Sequence, residues 1–178
     1  DPGDRTIIGN AQPDFVFGLT NNFSWKGFDL NIFIQGSYGN DIFNATRIDL
    51  EGMFDSKNQS VAVLNRWTPD NRITDIPRAI GNGNVQNVLN STRFIEDGSY
   101  VRVKSVTLAY NFTGNWLKKA GFSNLRLYTT GQNLFTLTGY SGYDPEVNAF
   151  GRSATELGID YGTYPHSMVV TMGFKADL

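Results

Sequence analysis

From Phe15 onward the chain alternates apolar and polar residues with a period of two, the signature of strands that carry one apolar and one polar face. Phe15, Phe17, Leu19, Phe23 and Trp25 hold the odd positions, and Val16, Gly18, Thr20, Asn22 and Ser24 between them are mostly small or polar. Lys26-Gly27 fits a tight hairpin turn, in which glycine supplies the positive φ that such turns require. The apolar phase then resumes on Phe28, Leu30, Ile32, Ile34 and Tyr38, against Asp29, Asn31, Gln35 and Ser37. A third ribbon, from about Ser99 to Phe112, shifts phase between Val101 and Val103 and the later Val106, Leu108, Tyr110 and Phe112, which predicts a bulge near Lys104 and Ser105. The fourth sets Leu125, Leu127, Thr129 and Gly131 against Arg126, Tyr128, Thr130 and Gln132. The fifth, His166 to Leu178, aligns Met168, Val170, Met172, Phe174, Ala176 and Leu178.

The connections alternate in length: a two-residue turn, about sixty residues from Gly39 to Gly98, about eleven around Gly114 to Gly121, and about thirty from Phe135 to Pro165. Globular domains seldom carry structureless loops beyond ~15 residues. Outer-membrane barrels show this short–long rhythm, with strands of ~9–11 residues turned apolar side outward. If the short turns share one side, Phe23, Trp25, Phe28, Tyr110, Phe112, Trp116, Phe122 and Phe174 gather there as an aromatic girdle. The plainer alternative is that these rings plug one end of a soluble core. Five strands cannot close a transmembrane barrel, and an open edge in lipid would leave backbone groups unpaired at several kcal/mol each. The strand pattern therefore predicts an all-β piece of a larger antiparallel barrel.

Composition removes several other classes. The 178 residues contain no cysteine, which excludes disulfide frameworks and thiolate metal sites. Their single histidine, His166, cannot build a multi-imidazole zinc site, and no nucleophile elbow accompanies it. A formal net charge of −2 argues against nucleic acid as a partner. No apolar run approaches the ~20 residues of a membrane-spanning helix. The start, Asp1-Pro2-Gly3-Asp4-Arg5, has no signal-peptide pattern and reads as the interior of a longer chain, with Asp1 a break in an extracellular loop.

A series of segments resembles the C-terminal region of the SusC/RagA-like TonB-dependent transporters of Bacteroidetes outer membranes. The series opens with Asp4-Arg5-Thr6-Ile7-Ile8-Gly9-Asn10 and Pro13-Asp14-Phe15, followed by Trp25-Lys26-Gly27-Phe28-Asp29-Leu30 and Gln35-Gly36-Ser37-Tyr38-Gly39-Asn40-Asp41. Arg66-Trp67-Thr68-Pro69 and Pro77-Arg78 come next, then the dense stretch Ile95-Glu96-Asp97-Gly98-Ser99-Tyr100-Val101-Arg102-Val103-Lys104. Gln132-Asn133-Leu134-Phe135-Thr136, Tyr140-Ser141-Gly142-Tyr143-Asp144-Pro145-Glu146, Gly158-Ile159-Asp160-Tyr161-Gly162 and Tyr164-Pro165 complete it. The resemblance implies the final five strands of a twenty-two-stranded barrel around an N-terminal plug, with loops extracellular and the C-terminus periplasmic. It also implies TonB-driven import of oligosaccharides or peptides, a SusD-like lipoprotein lid, no cofactor and no enzymatic activity. The ending Phe174-Lys175-Ala176-Asp177-Leu178 departs from barrels that finish on an aromatic.

Two readings stand open for the loop residues. Tyr140 and Tyr143 can stack on sugar rings while Asp144 and Glu146 accept hydroxyl hydrogen bonds, with Trp67 as a further platform; alternatively Gly142 and Pro145 form a turn packed by the tyrosines. Arg66, Trp67 and Arg78 can contact a lid protein or nutrient, or pin their own loop. Asp144 and Glu146, two residues apart across a proline, are poorly placed for the carboxyl pair of a glycosidase. The polar faces, including Asp29, Asn31, Gln35, Arg126, Tyr128 and Gln132, would line a lumen and hold a plug. The rival architecture is a soluble carbohydrate-binding sandwich, which would turn the apolar faces inward.

Overall fold

The computed structural model describes residues 5–80, 85–149 and 156–177, so Asp1, Asp4 and the terminal Leu178 of the sequence reading lie outside it. In chain order the strands and helices are β1 (Phe15–Trp25), β2 (Phe28–Tyr38), β3 (Asp41–Asn44), α1 (Thr46–Glu51), β4 (Ile95–Asp97), β5 (Tyr100–Phe112), α2 (Asn115–Lys119), β6 (Asn124–Thr138), β7 (Ile159–Asp160) and β8 (Val169–Asp177). Short 3-10 turns at Val61–Asn65, Val85–Val88 and Thr92–Phe94 fall between α1 and β4. The chain divides into two compact units.

The first unit, residues 13–39, 99–139 and 165–178, is a five-stranded antiparallel sheet in the order β1-β2-β5-β6-β8. Its register sets Trp25, Phe28, Tyr110, Leu127 and Phe174 in one cross-strand row. The next rows are Phe23, Leu30, Leu108, Thr129 and Met172, then Asn21, Ile32, Val106, Gly131 and Val170. Two-residue periodicity carries the apolar face across all five strands, as the sequence predicts. The bulge is also where expected: Phe33 pairs with Ser105 and Ile34 with Val103, so Lys104 is the extra residue that keeps Val103 and Val106 on the same face.

Strand β6 runs six residues past Gln132, farther than the alternation of residues 125–132 predicts. Asn133, held at φ 50, absorbs a second irregularity opposite Lys104, and Phe135 and Leu137 re-enter the apolar face opposite Val103 and Val101. Asparagine tolerates this left-handed conformation better than most residues. Sequence periodicity breaks at such a point although the ladder continues.

At the β1–β2 turn both Lys26 (φ 45) and Gly27 (φ 91) have positive φ, the type I′ pattern whose twist matches a hairpin. Lysine is an unusual choice for the first position, where Asn is the common residue and other L-residues meet ~1–2 kcal/mol of strain. Gly36, on β2, is required for a different reason. A Cβ there would run into the Phe17 ring and lie 2.7 Å from the Tyr100 carbonyl oxygen. The ring can swing away, but the backbone is held by the ladder. Gly36→Val is therefore expected to destabilise the full transporter by ~1–3 kcal/mol, the usual overpacking range, seen as a lower urea midpoint in lipid vesicles.

The second unit comprises residues 1–12, 40–98 and 140–164. A small sheet of order β4-β3-β7 forms its centre, β3 pairing antiparallel with β4 and parallel with β7. Ile42, on β3, is 1% exposed and clusters with Tyr140 and Val147, and buried Phe94 meets Phe43 edge-on at 6.3 Å. The stretch that reads as long loops in the sequence is thus folded, in pieces too short for periodicity to register.

Candidate functional site

The sheet unit offers two chemically opposite faces. On the apolar face, Phe15, Phe23, Trp25, Leu127, Val170 and Met172 are exposed, Met172 at 79%. Aromatic rings bound it at both ends: Trp25, Phe28, Tyr110 and Phe174 in the row beside the short turns, and Phe15 stacked on Tyr38 at 5.4 Å in the opposite end row. The ten residue steps from Phe15 to Trp25 span ~34 Å at ~3.4 Å each, which a strand tilt of ~40° reduces to ~26 Å, the height of an outer-membrane apolar band. Phe28 and Tyr110 lie 4.6 Å apart, Tyr110 and Phe112 4.8 Å, and Phe112 and Trp116 6.2 Å, so these four rings at the short-turn end form one contiguous chain.

The other face is polar and internally bonded. Ser24 Oγ and Asn111 Nδ2 donate to the Asp29 carboxylate at 2.8 and 2.7 Å, and Arg126 pairs with it at 3.2 Å. Asn31 donates to Asn22, and Thr107 and Thr130 hydroxyls meet at 2.9 Å. These are cross-strand pairs, the unit of sheet stabilisation. The polar set named from the sequence therefore does share one face, and Asp29, Asn31 and Arg126 within it bond along the sheet.

In the loop unit a chain of charges ties distant segments together. Glu51, at the end of α1, accepts from Arg47 at 3.0 Å and from Arg93 at 2.6 Å. Arg47 continues to Glu96 on β4 at 3.0 Å and donates to the Arg93 carbonyl oxygen at 3.1 Å. Glu96 also accepts from the Ser141 N–H at 2.8 Å, the Ser141 hydroxyl at 2.9 Å and Asn44 Nδ2 at 3.1 Å. Burial alone would raise the Glu96 carboxyl, but hydrogen bonds from Ser141, then Arg47 and Asn44, outweigh it and hold it below the ordinary carboxylate value. Burial pulls the Arg93 guanidinium down, with Arg47 repulsion adding to it, and Glu51, then Asp75, are the anions that oppose this.

The Glu96 shift fixes a pH dependence. A carboxyl whose folded value lies below its unfolded ~4.3 contributes stability that is fully present above that unfolded value and is lost as pH falls through the folded one. Amide protection, taken relative to the intrinsic exchange rate at each pH, is expected to fall in β4 and around Ser141 on acidification below about pH 4, and Glu96→Gln should flatten that dependence.

The seven loop residues singled out from the sequence occupy different situations. Tyr140 is 5% exposed and its hydroxyl donates to the Asp160 carboxylate at 2.6 Å; burial first, then that carboxylate, push the phenol up, so it remains a donor. Asp144 is 3% exposed and accepts from the Glu146 N–H at 2.9 Å, which brings those two residues together in one tight turn. Tyr143, immediately before Asp144, is 87% exposed. Arg66 and Trp67 share a turn in which the Trp67 N–H donates to the Ile76 carbonyl and Asn71 Nδ2 to that of Arg66. Arg78 is exposed, and its carbonyl accepts from Asn87 at 2.9 Å.

Sequence reasoning passed over two clefts in this unit. One, of about 1090 Å³, is lined by Arg5, Asp75, Gln86, Asn87, Asn90 and Arg93 among others. Its neighbour, of about 410 Å³, shares Ile8 and Asn90 with it and is walled by Ile7, Phe43, Ile95 and Ile159. Both draw on residues 5–11 and 86–95, where the segments that resemble the transporter family carry no charge pattern or periodicity that would have marked a cleft.

No protein-family model matches the chain. It is 41% identical over 176 residues to TonB-dependent receptor P3 of Formosa agariphila, covering 97% of this chain and 17% of that receptor. TonB-dependent receptor SusC of Bacteroides thetaiotaomicron is 27% identical over 182 residues, with 98% of this chain and 16% of that protein covered. Among solved structures, the RagAB peptide importer in its open-open state superposes with a TM-score of 0.80 at 25% identity, over 97% of this chain and 18% of the matched one. The chain thus spans about a sixth of the length of the curated relatives it matches.

Proposed function

We propose, from the premise that this chain belongs to the SusC/RagA-like TonB-dependent receptors, that it forms the final five strands of a twenty-two-stranded outer-membrane importer. The chain is not an enzyme. The whole protein takes up oligosaccharides or peptides through a barrel closed by a plug, with energy delivered by TonB and a SusD-like lipoprotein as lid. The short turns and the end of β8 face the periplasm, and the loop unit faces outward.

The observation that carries this reading is the exposed apolar face bounded by an aromatic row at the short-turn end and by the stacked Phe15 and Tyr38 rings at the other. A soluble sandwich would have turned that face inward. A two-protein peptide importer among the matching structures supports both the lid and peptide cargo. In the loop unit, Tyr143 and Arg78 present exposed side chains to cargo or lid, and Trp67, Arg66 and Glu146 flank them in chain order as secondary contacts. Tyr140 and Asp144 set the shape of the turn that displays Tyr143.

The test is growth and uptake in the native host. Deleting the full gene should abolish uptake of one class of oligosaccharide or peptide while sparing its monomers, and loss of TonB should reproduce the defect. A tagged transporter should bring down a surface lipoprotein. Uptake that survives without TonB would overturn the proposal.

A further inference from the structure

We infer that the short-turn end of the sheet carries a binding site for the phosphate of anionic phospholipids, built from Lys26, Lys118 and Lys119 against the aromatic chain of the apolar face. Lys26 is held at positive φ at the tip of the β1–β2 turn and its ammonium lies 4.9 Å from the centre of the Trp25 ring. Trp25 is 67% exposed on the apolar face, so the ammonium sits over a ring that itself points outward. A turn chosen for conformation alone would favour Asn at this position. Keeping lysine there retains a positive charge where the apolar surface ends.

The second half of the site comes from the β5–β6 connection. The Gly27 carbonyl accepts from the Asn111 N–H at 2.7 Å, which sets the Lys26 turn against the end of β5. Immediately beyond, Trp116 of α2 packs edge-on against Phe112, whose side chain follows Tyr110 on the apolar face. Lys119, three residues after Trp116, projects from the same side of that helical turn, and Lys118 adjoins it; both are exposed. The acidic groups nearby are engaged: Asp29 by Ser24, Asn111 and Arg126 on the opposite face, and Asp177 by Lys175 at 3.7 Å and by Asn124. The surplus positive charge at this end therefore belongs to Lys26, Lys118 and Lys119.

This is the chemistry of a headgroup site. Amphipathic rings settle at the level of the lipid headgroups, and long lysine stems run along apolar surface while their ammonium groups reach the phosphate layer. The assignment to phospholipid, and not to the phosphates of lipopolysaccharide, rests on the proposed periplasmic orientation of this end.

Native mass spectrometry of the full transporter released from nanodiscs holding equal phosphatidylglycerol and phosphatidylcholine tests it. Bound phosphatidylglycerol should exceed phosphatidylcholine at least about fivefold, the effect of a single lysine near an anionic surface. The combined Lys26→Gln, Lys118→Gln and Lys119→Gln variant should lose that preference, while Lys57→Gln in the loop unit should keep it. Parity in the parent, retention in the triple variant, stronger retention of lipid A in a matched nanodisc to which it has been added, or displacement by excess inorganic phosphate would each overturn the inference. A transporter that enters the nanodisc and shows one of those results leaves the barrel reading standing; one that stays outside the bilayer overturns both.

Discussion

Val170→Arg is expected to cost the full transporter ~2–4 kcal/mol when it folds into lipid vesicles, the range for a cation near the bilayer midplane of a barrel. Val170 lies in the third row of the apolar face with Gly131, Val106, Ile32 and Asn21, about midway between the two aromatic ends. It is 59% exposed. At an exposed site in water the same change would fall within about ±0.5 kcal/mol, so the size of the effect reports directly on what solvent bathes this face. Thr171→Arg, one residue along and on the polar face opposite Thr130, supplies the comparison and should cost less than ~1 kcal/mol. Equilibrium urea titration of both variants in vesicles decides the matter. Equal, small effects would mean that the face does not meet lipid.

The second large effect is expected in the loop unit. The Glu51 side chain is 9% exposed and stands between Arg47 and Arg93, whose side chains are 26% and 18% exposed. Removing one member of such a network leaves charge desolvated and unmatched, which typically costs ~3–5 kcal/mol. Glu51→Ala leaves Arg93 without the carboxylate it pairs with, at a site where its Nε and Nη1 are already buried and unbonded. Amide protection in β3 and β4 should fall by about two orders of magnitude or more, while the sheet unit keeps its own. Replacing Glu51 and Arg93 together by methionine should restore much of the loss, because well-packed apolar groups can substitute for a buried ion pair. Undiminished protection in Glu51→Ala would show that α1 and β4 are held by packing alone.

How far the sequence disclosed this structure depends on the range of the forces involved. The sheet was legible because each of its strands repeats a two-residue pattern many times, and a single face buried or embedded makes every repeat agree. Even the Lys104 bulge showed itself, as a phase change between Val103 and Val106. The extension of β6 did not, because Asn133 resets the phase through its backbone conformation and leaves Phe135 and Leu137 looking like loop residues.

The loop unit was illegible for the opposite reason. β3, β4 and β7 have four, three and two residues, and what joins them is side-chain bonding across long sequence separations, such as Ser141 on Glu96 and Tyr140 on Asp160. Nothing in the local pattern of Tyr140-Ser141-Gly142-Tyr143 says which tyrosine turns in and which turns out. Only the position of Asp160 decides that the Tyr140 hydroxyl is consumed internally, leaving Tyr143 as the displayed ring.

The same bonding bears on how such a protein can diversify. Tyr140 belongs to the connection between β6 and β8, as does Asp160, but Thr46 and Glu96, which bond to Asp160 and Ser141, belong to the connection between β2 and β5. Neighbouring Asn10, from the segment before β1, accepts from the Asp41 N–H at 2.8 Å. Three stretches distant in sequence thus behave as a single inheritable cassette. Transplanting one of them from a relative would strand carboxylates and hydroxyls without their counterparts, whereas exchanging all three together preserves every bond. Chimeras made on that rule should retain their exposed rings in place and leave the five-stranded sheet unaltered.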